Sequence, residues 1–207
     1  MKMKQFVVGP VQTNCYVVIN TETQECIVVD PGDKGDSIAY TLRNDGLKPV
    51  AILLTHGHFD HICGVNEVKK AFGIDVYVHE RDSELISDPE KNDSLMFIGK
   101  GVSVEADKLL HGGEQLDFAG FKIDVLHTPG HTPGSVCYYI KEKGVLLSGD
   151  TLFQMSVGRT DLPGGSMSSL VSSLKEKVIT LPEDTVVYPG HGEATSIEVE
   201  KKYNPFL

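Results

Sequence analysis

Short runs of apolar, β-branched residues alternate along the whole chain with glycine, proline and polar turn residues, a pattern typical of a sheet-rich protein. Three such runs near the start predict a β-meander over residues 5–30. Further strands are predicted at residues 50–54, 76–79, 121–126, 136–140, 145–147 and 185–188. Apolar spacing with glycine or polar stops predicts helices at residues 37–44, 64–72, 166–178 and 196–203. No low-complexity linker divides this series, so we expect one domain over residues 1–207.

The segment of residues 81–113 shows neither the strand period nor the helix period. It is polar and is punctuated by Asp88-Pro89 and by Gly99-Lys100-Gly101. Long loops without regular structure are uncommon in compact domains and often cover functional sites. We therefore expect this segment to be a mobile insertion over the site.

Side chains that can bind a metal follow five of the predicted strands at the point where each strand ends. They are Asp30, the cluster His56-x-His58-x-Asp60-His61, His131, Asp150 and His191. Strand ends can converge at one edge of a sheet, where many active sites lie. Alternate residues of an extended chain share one side, so His56 and His58 can reach one ion and the Asp60-His61 pair a second. Imidazole and carboxylate are ligands of zinc and related ions, so the pattern predicts a metal site.

Charge and hydropathy limit the partners of this protein. Nineteen Lys and Arg residues stand against twenty-nine Asp and Glu, a formal net charge of −10. Binding a nucleic-acid backbone needs a dense basic surface, so nucleic acid is not an expected partner. No apolar run approaches the ~18 residues that cross a bilayer, and the first residues do not resemble a signal peptide. We expect a cytoplasmic protein with a small-molecule partner and no membrane partner.

The remaining cysteines and histidines do not extend the metal pattern. The four cysteines lie singly, which indicates a reducing compartment. Those within apolar runs are Cys15, Cys26 and Cys137. Cys63 follows His61 by two residues and lies near the predicted metals, where we expect a structural role. His79 and His111 are interpreted as ordinary polar residues, and His127 as packing beside the site.

Five blocks at the strand ends resemble the metallo-β-lactamase superfamily in content and in order. They are residues 29–32 (VDPG), 55–61 (THGHFDH), 128–134 (TPGHTPG), 148–151 (SGDT) and 189–192 (PGHG). The resemblance implies an α+β fold, the αββα sandwich, in which two mixed β-sheets pack together and helices flank them. The predicted order of strands and helices agrees with that layer arrangement.

The resemblance also implies a centre with two metal ions. By matching position, a first set comprises His56, His58 and His131, and a second set comprises Asp60, His61 and His191. Asp150 is expected to bridge the two ions, and Asp60 and Asp150 are the expected catalytic carboxylates. Asp30 is expected to orient a ligand histidine, a partner that such ligands usually have; its place before Pro31 also suits a turn. The expected cofactors are two divalent ions, Zn²⁺ first, with Fe or Mn as alternatives.

Within the superfamily the sequence is most similar to short glyoxalase II (hydroxyacylglutathione hydrolase) proteins. The similarity rests on residues 149–153 (GDTLF), 156–165 (SVGRTDLPGG) and 14–16 (NCY). It implies a thioesterase that cleaves S-2-hydroxyacylglutathione, or a related thioester, with water activated by the metals. Longer glyoxalase II enzymes have a C-terminal helical domain that supplies much of the glutathione site, and this sequence stops at Leu207. The resemblance therefore implies thioester hydrolysis more strongly than it implies glutathione.

Arg159 lies within the second of these segments and is the expected cation for a substrate carboxylate. A planar guanidinium suits bidentate recognition of that group. The alternative is a structural ion pair with the nearby Asp161, since loop Arg–Asp pairs are common.

Other functions compatible with the pattern remain open. Persulfide dioxygenases share the Gly-Arg-Thr-Asp segment and would use one iron held by His56, His131 and Asp150. Their segment continues with Phe-Gln, whereas Leu162-Pro163 follows here, which favours the hydrolase. A lactonase or another metallo-hydrolase is a further alternative, and Asp150 argues against a true β-lactamase. A structural metal module needs only four ligands, fewer than the seven candidates. The sequence leaves the oligomeric state open.

Overall fold

Two six-stranded β-sheets and a short separate hairpin form the framework of the computed structural model, which describes residues 1–207. The first sheet contains, in spatial order, β1 (Lys2–Val8), β2 (Thr13–Ile19), β3 (Glu25–Val29), β4 (Lys48–Leu53), β5 (Val76–His79) and β6 (Lys108–Leu110). The second contains β7 (Gln115–Phe118), β8 (Phe121–His127), β9 (Val136–Ile140), β10 (Val145–Gly149), β13 (Val186–Pro189) and β14 (Thr195–Ser196). The hairpin pairs β11 (Leu152–Phe153) with β12 (Ser156–Val157).

Both sheets are mixed. In the first sheet β1, β2 and β3 are antiparallel, whereas β3 to β6 run parallel. In the second sheet β7 to β10 are antiparallel, β10 and β13 are parallel, and β14 returns antiparallel. Parallel neighbours need crossover connections, and these connections carry most of the helices.

Seven helices accompany the sheets. They are α1 (Gly35–Asn44), α2 (Phe59–Ile62), α3 (Val65–Phe72), α4 (Ser83–Ser87), α5 (Ser94–Ile98), α6 (Met167–Ser173) and α7 (Ile197–Tyr203). Helix α6 continues directly into a π-helical segment, Leu174–Val178. Helices α1 and α3 pack on the outer face of the first sheet, and α6, the π-helical segment and α7 pack on the outer face of the second. No helix combines the length and the apolar character that a membrane crossing requires.

The core is divided into layers because neighbouring side chains of a strand point to opposite faces. Val17 and Val28 belong to the apolar cluster that includes residues of α1 and α3, whereas Val18 and Ile27 belong to the central cluster shared by both sheets. Strands buried on both faces consist of almost continuous apolar residues, which is why these runs were visible in the sequence. The predicted α+β fold, an αββα sandwich, is confirmed.

The sequence prediction missed the elements that are short or exposed. Strand β1 begins at Lys2, earlier than its apolar part, and β7 alternates between exposed and half-buried positions. The segment of residues 81–113 was expected to lack regular structure, but it contains α4, α5 and β6. Elements of three to five residues have too few positions to show a period. Here side-chain contacts fix them, such as the bond from Asn92 Nδ2 to the Val102 carbonyl, 2.8 Å long.

Candidate metal centre

The strands predicted to end in metal-capable residues do end there, and their loops meet at one edge of the sandwich. Asp30 directly follows β3, and the histidine cluster follows β4 in the same sheet. From the other sheet, Asp150 follows β10 directly, while the loops after β8 and β13 carry the two remaining histidines. Seven donor side chains come together: His56, His58, Asp60, His61, His131, Asp150 and His191.

The first set consists of three buried imidazoles that face one another. His58 Nδ1 lies 2.9 Å from His131 Nε2, and His131 Nε2 lies 3.2 Å from His56 Nε2. Burial and then the neighbouring histidines lower the pKa of His58 to about 3 and the pKa of His56 well below its usual value. Both rings are therefore neutral at pH 7 and present lone pairs, the form that binds a metal.

The second set adds carboxylates to imidazoles. Asp60 Oδ2 lies 3.1 Å from His191 Nε2 and 3.5 Å from His61 Nε2. Asp150 Oδ1 lies 3.3 Å from His61 Nε2, and its Oδ2 lies 3.5 Å from His191 Nε2 and 3.7 Å from His131 Nε2. Asp150 thus contacts both sets, and a ligand that bridges two ions would need this position.

Opposite charges shift the pKa values of the second set in opposite directions. Burial disfavours a charged imidazole, but the carboxylates of Asp60, Asp150 and Asp30 outweigh burial and raise the pKa of His61 well above its usual value. Burial likewise opposes ionisation of Asp60 and Asp150, and His61 overcomes it, so both carboxyl pKa values are lowered. The His61 imidazole and these carboxylates thus stabilise each other's charged forms.

Asp30 orients two of the histidines. It accepts hydrogen bonds from His61 Nδ1 (3.0 Å), from the Thr55 backbone N–H (2.8 Å) and from the Thr55 hydroxyl (2.6 Å). Thr55 Oγ1 in turn lies 3.2 Å from His56 Nδ1 and accepts from it. Both rings therefore direct Nε2 towards the centre. Asp30 adopts a left-handed backbone, φ 50°, which is uncommon outside glycine.

Carbonyl and hydroxyl groups orient other members of the centre. His131 Nδ1 donates to the Arg159 carbonyl at 2.7 Å, and His191 Nδ1 donates to the Val11 carbonyl at 3.2 Å. The Thr13 hydroxyl donates to Asp60 at 2.9 Å. The roles of Thr13, Thr55 and Val11 are not predictable from the sequence, because none of these residues is a metal ligand by residue type.

Glycine at position 190 is required by close approach. A Cβ there would lie 2.2 Å from Asp150 Oδ1 and 2.8 Å from His61 Cε1, distances that atoms do not adopt without displacement. The backbone after β13 can therefore pass behind the donors only without a side chain.

The donors fit a pair of divalent metal ions. His61 Nε2 and Asp150 Oδ1 are buried and have no hydrogen-bond partner, which is costly unless another group satisfies them. One ring nitrogen from each histidine of the first set converges on the same point, where neutral imidazoles can bind a cation. Imidazole nitrogens with carboxylate oxygens suit zinc, iron and manganese. We conclude that the cluster is a site for divalent metal ions.

An open pocket of ≈ 160 Å³ lies directly beside the donors. Phe59 and Phe97 stack on one side, with ring centroids 5.3 Å apart. Phe97 belongs to α5 and Asp93 precedes that helix, so the segment of residues 81–113 borders the pocket, as expected of a covering insertion. Arg159 lies in the wall as well. A small molecule can therefore reach the centre.

A comparison with protein families decides the classification. The family model described as the metallo-beta-lactamase superfamily matches residues 8–191, most of the chain. The chain belongs to the metallo-β-lactamase superfamily. This confirms the family that the five sequence blocks indicated.

Curated relatives within the superfamily include hydrolases. The chain is 44% identical over 208 residues to the probable metallo-hydrolase YqgX of Bacillus subtilis, covering 100% of this chain and 98% of YqgX. It is 34% identical over 198 residues to the hydroxyacylglutathione hydrolase GloC of Haemophilus influenzae, covering 95% and 93% respectively. The chain is thus related to metallo-hydrolases over nearly its full length.

Several solved structures superpose closely on this chain. The BLEG-1 B3 metallo-beta-lactamase has a TM-score of 0.95 at 44% identity, covering 100% of this chain and 99% of that one. TTHA1623 in a di-iron-bound form has a TM-score of 0.85 at 38% identity, with 99% and 100% covered. ETHE1 from Myxococcus xanthus has a TM-score of 0.82 at 26% identity, with 99% and 84% covered. The αββα fold is therefore common to all of them.

In this superfamily member Arg159 forms the ion pair that the sequence analysis considered as an alternative. Its Nε and Nη2 donate to the two carboxylate oxygens of Asp161 at 2.7 and 2.8 Å. The Arg159 side chain is 54% exposed and lines the pocket. The pairing with Asp161 and the position at the pocket are thus both observed, and a contact with substrate remains a prediction.

The donor cluster does not include the other three histidines or Cys63. His79 and His127 stack with ring centroids 4.0 Å apart, and His127 Nε2 donates to the Pro133 carbonyl beside the His131 loop. His111 pairs with Glu80 at 3.1 Å. All four cysteines are free thiols, and Cys63 borders a separate surface groove. His127 thus packs beside the site, as the sequence indicated.

Proposed function

We propose that this protein is a dinuclear metal-dependent thioesterase of the glyoxalase II type. Its substrate would be S-2-hydroxyacylglutathione or a related small thioester, and its ions two divalent cations, with Zn²⁺ as the first candidate. The observation that carries the hydrolytic part is the seven-donor cluster beside an open pocket, with Asp150 in contact with both sets. Similarity to GloC supports the choice of thioester. The compartment we propose is the cytoplasm.

Different side chains have different proposed roles in hydrolysis. When bound, the two ions supply an activated water at neutral pH and polarise the thioester carbonyl. His56, His58 and His131 are the proposed ligands of one ion, and the second set holds the other. Asp60, fixed by the Thr13 hydroxyl, is the group that we propose to hold the attacking water or to take up the proton that it loses. The thiol leaves as a thiolate, a good leaving group.

A nucleophilic side chain is not needed for this reaction. Burial raises the pKa of the Cys63 thiol to about 12, so this cysteine is protonated at neutral pH. It also borders a groove other than the metal pocket. Thiolate is the nucleophilic form of cysteine, so Cys63 is excluded as an alternative to water.

Steady-state turnover of S-lactoylglutathione tests the proposal. Protein loaded with zinc, iron or manganese is compared with the same protein stripped of metal. We expect hydrolysis well above the metal-free control in at least one metal form. The absence of turnover in every metal form would reject glutathione thioesters as substrates.

Two further activities belong in the same assay series. A one-iron persulfide dioxygenase would use His56, His131 and Asp150, and these three donors do lie together, at 3.2 and 3.7 Å; oxygen uptake with glutathione persulfide detects it. β-Lactam hydrolysis is suggested by the similarity to BLEG-1, and a chromogenic cephalosporin detects it. Either activity exceeding thioester hydrolysis would replace the present proposal.

Arg159→Ala should raise KM for thioesters that carry a carboxylate more than for neutral thioesters. The physical reason is the loss of a cation in the pocket wall. Because the side chain is half exposed, we expect a change of about two- to fivefold in KM, the range of a solvent-screened ion pair. Steady-state kinetics with a matched pair of thioesters, one anionic and one neutral, measures it.

Asp161→Asn is the complementary variant. It removes the carboxylate that occupies Nε and Nη2 of Arg159, so KM for the anionic thioester should fall while KM for the neutral one stays unchanged. Equal responses of both thioesters to Arg159→Ala would show that Arg159 acts only through its structural pair.

A further inference from the structure

Asp82 is a fully buried carboxylate outside the seven donors. It lies in the 3₁₀ turn Glu80–Asp82 that follows β5, with 0% of its surface exposed. It accepts hydrogen bonds from the Gly57 backbone N–H (3.0 Å), the Thr132 hydroxyl (2.7 Å) and the Gly134 backbone N–H (2.7 Å). All three neighbours belong to loops that carry the first set.

These contacts join two loops that arise from different sheets. Gly57 lies between His56 and His58 in the loop after β4, and Thr132 adjoins His131 in the loop after β8. The first set exists only if the two loops keep their relative position, because its N···N distances of 2.9 and 3.2 Å span both loops. A single carboxylate connects the two loops at the level of the histidines.

Two further hydrogen bonds between the sheets lie at the bases of these loops. The Val136 backbone N–H donates to the Thr55 carbonyl at 2.8 Å, and the Tyr138 hydroxyl donates to the Leu54 carbonyl at 2.7 Å. They fix the strands but do not contact the segments on either side of His58 and His131. Asp82, by contrast, contacts the distal parts of both loops at once.

Only a carboxylate fits the donors around Asp82. Three hydrogen-bond donors meet its two oxygens, and an amide in its place would direct one N–H group at another N–H group. Burial raises the pKa of Asp82, and the three donors act against that shift by favouring the carboxylate. A Cβ at position 134 would lie 2.5 Å from Asp82 Oδ1, so glycine permits this contact.

We propose that Asp82 is a positioning residue for the first metal set, holding the His56–His58 loop against the His131 loop. Asp30 has the corresponding role for His61 and, through Thr55, for His56. The inference rests on the proposed two-metal centre, but it is independent of which substrate the protein hydrolyses.

Metal affinity measured separately at each set tests the inference. His191→Ala disables the second set and leaves one ion in the first, whereas His58→Ala does the reverse. Adding Asp82→Asn to His191→Ala should weaken zinc binding by about 10–100-fold, the usual effect of removing a partner behind a metal ligand. Adding it to His58→Ala should leave zinc binding unchanged. Competition with a chromophoric chelator measures both affinities without any substrate.

Controls separate positioning from general destabilisation. Glu80→Gln alters the same turn, but Glu80 is exposed and pairs only with His111, so both affinities should stay as they are. Thr132→Val removes one donor to Asp82 and should weaken the first set less than Asp82→Asn does, and Thr132→Ser, which keeps the hydroxyl, should restore binding. Thermal unfolding of the metal-free variants records any loss of stability.

Three outcomes would overturn the inference. The first is unchanged zinc affinity in the His191→Ala, Asp82→Asn double variant. The second is equal weakening at both sets, which would indicate a general loss of stability. The third is the absence of a bound ion in His191→Ala alone, which would also reject the proposed first set. A failure to hydrolyse thioesters, by contrast, would leave the role of Asp82 standing.

Discussion

His58→Ala is expected to abolish nearly all hydrolysis and to lower the metal content from two ions to one per chain. His58 is buried and its Nδ1 faces His131 Nε2 at 2.9 Å, so its removal opens the first set. Metal polarisation of the substrate contributes several kcal/mol to stabilising the transition state, and its loss corresponds to a fall on the order of 10³-fold in kcat/KM. Steady-state kinetics with elemental analysis of the same sample gives both quantities.

His111→Ala is the matched control for that variant. His111 is exposed and pairs with Glu80 rather than with any donor of the centre, so activity and metal content should both equal those of the unchanged protein. Unfolding curves should show that His58→Ala keeps its fold, because the three apolar clusters do not include this residue. Full activity with two ions bound in His58→Ala would refute its role as a ligand.

Asp30→Ala is expected to lower the free energy of unfolding by about 3–5 kcal/mol, the effect of removing one partner of a buried charged pair. The substitution leaves the Thr55 N–H and His61 Nδ1 buried without their acceptor. Zinc affinity should also fall by about 10–100-fold, because His61 and, through Thr55, His56 lose their orientation. Denaturant unfolding of the metal-free protein and chelator competition measure the two effects separately.

Two variants show which property of Asp30 matters. Asn tolerates the left-handed backbone at this position better than Ala does, so Asp30→Asn should lose less stability while still losing metal affinity. Asp117→Ala removes an exposed carboxylate from β7 and should change neither quantity. Should Asp30→Ala bind zinc as tightly as the unchanged protein, the orienting role would be wrong.

The donors of the centre were predictable because each residue type is informative and each lies just after a strand or in the loop that follows it. His56 and His58 alternate along the chain, and Asp150 follows an apolar run. These two features predict that the three side chains lie at the same edge of the sheets. Their hydrogen-bond partners were less accessible to prediction. Thr13 and Asp82 are distant in sequence from the groups that they contact. A single threonine or aspartate also forms no recognisable sequence pattern.

The segment of residues 81–113 illustrates the same limit for secondary structure. Its helices α4 and α5 and its strand β6 are too short to show periodicity, and their stability comes from tertiary contacts. The backbone N–H of Phe59 donates to the Asn92 carbonyl at 2.9 Å, which ties this segment to the histidine cluster. Position over the pocket was predicted from the length of the segment, but its structure was not.

The sequence by itself predicted the long buried strands and the metal-capable residues that follow them, and its resemblance to the superfamily implied the αββα class and the two sets of donors. Apolar periodicity and residue chemistry are local properties, so they can be read from the sequence. Only the tertiary structure decided which donors face one another, that Asp150 contacts both sets, and that Asp30 and Asp82 hold the loops behind them. Those relations depend on the packing of one sheet against the other, because distances between loops are set by the whole core rather than by any segment of the chain.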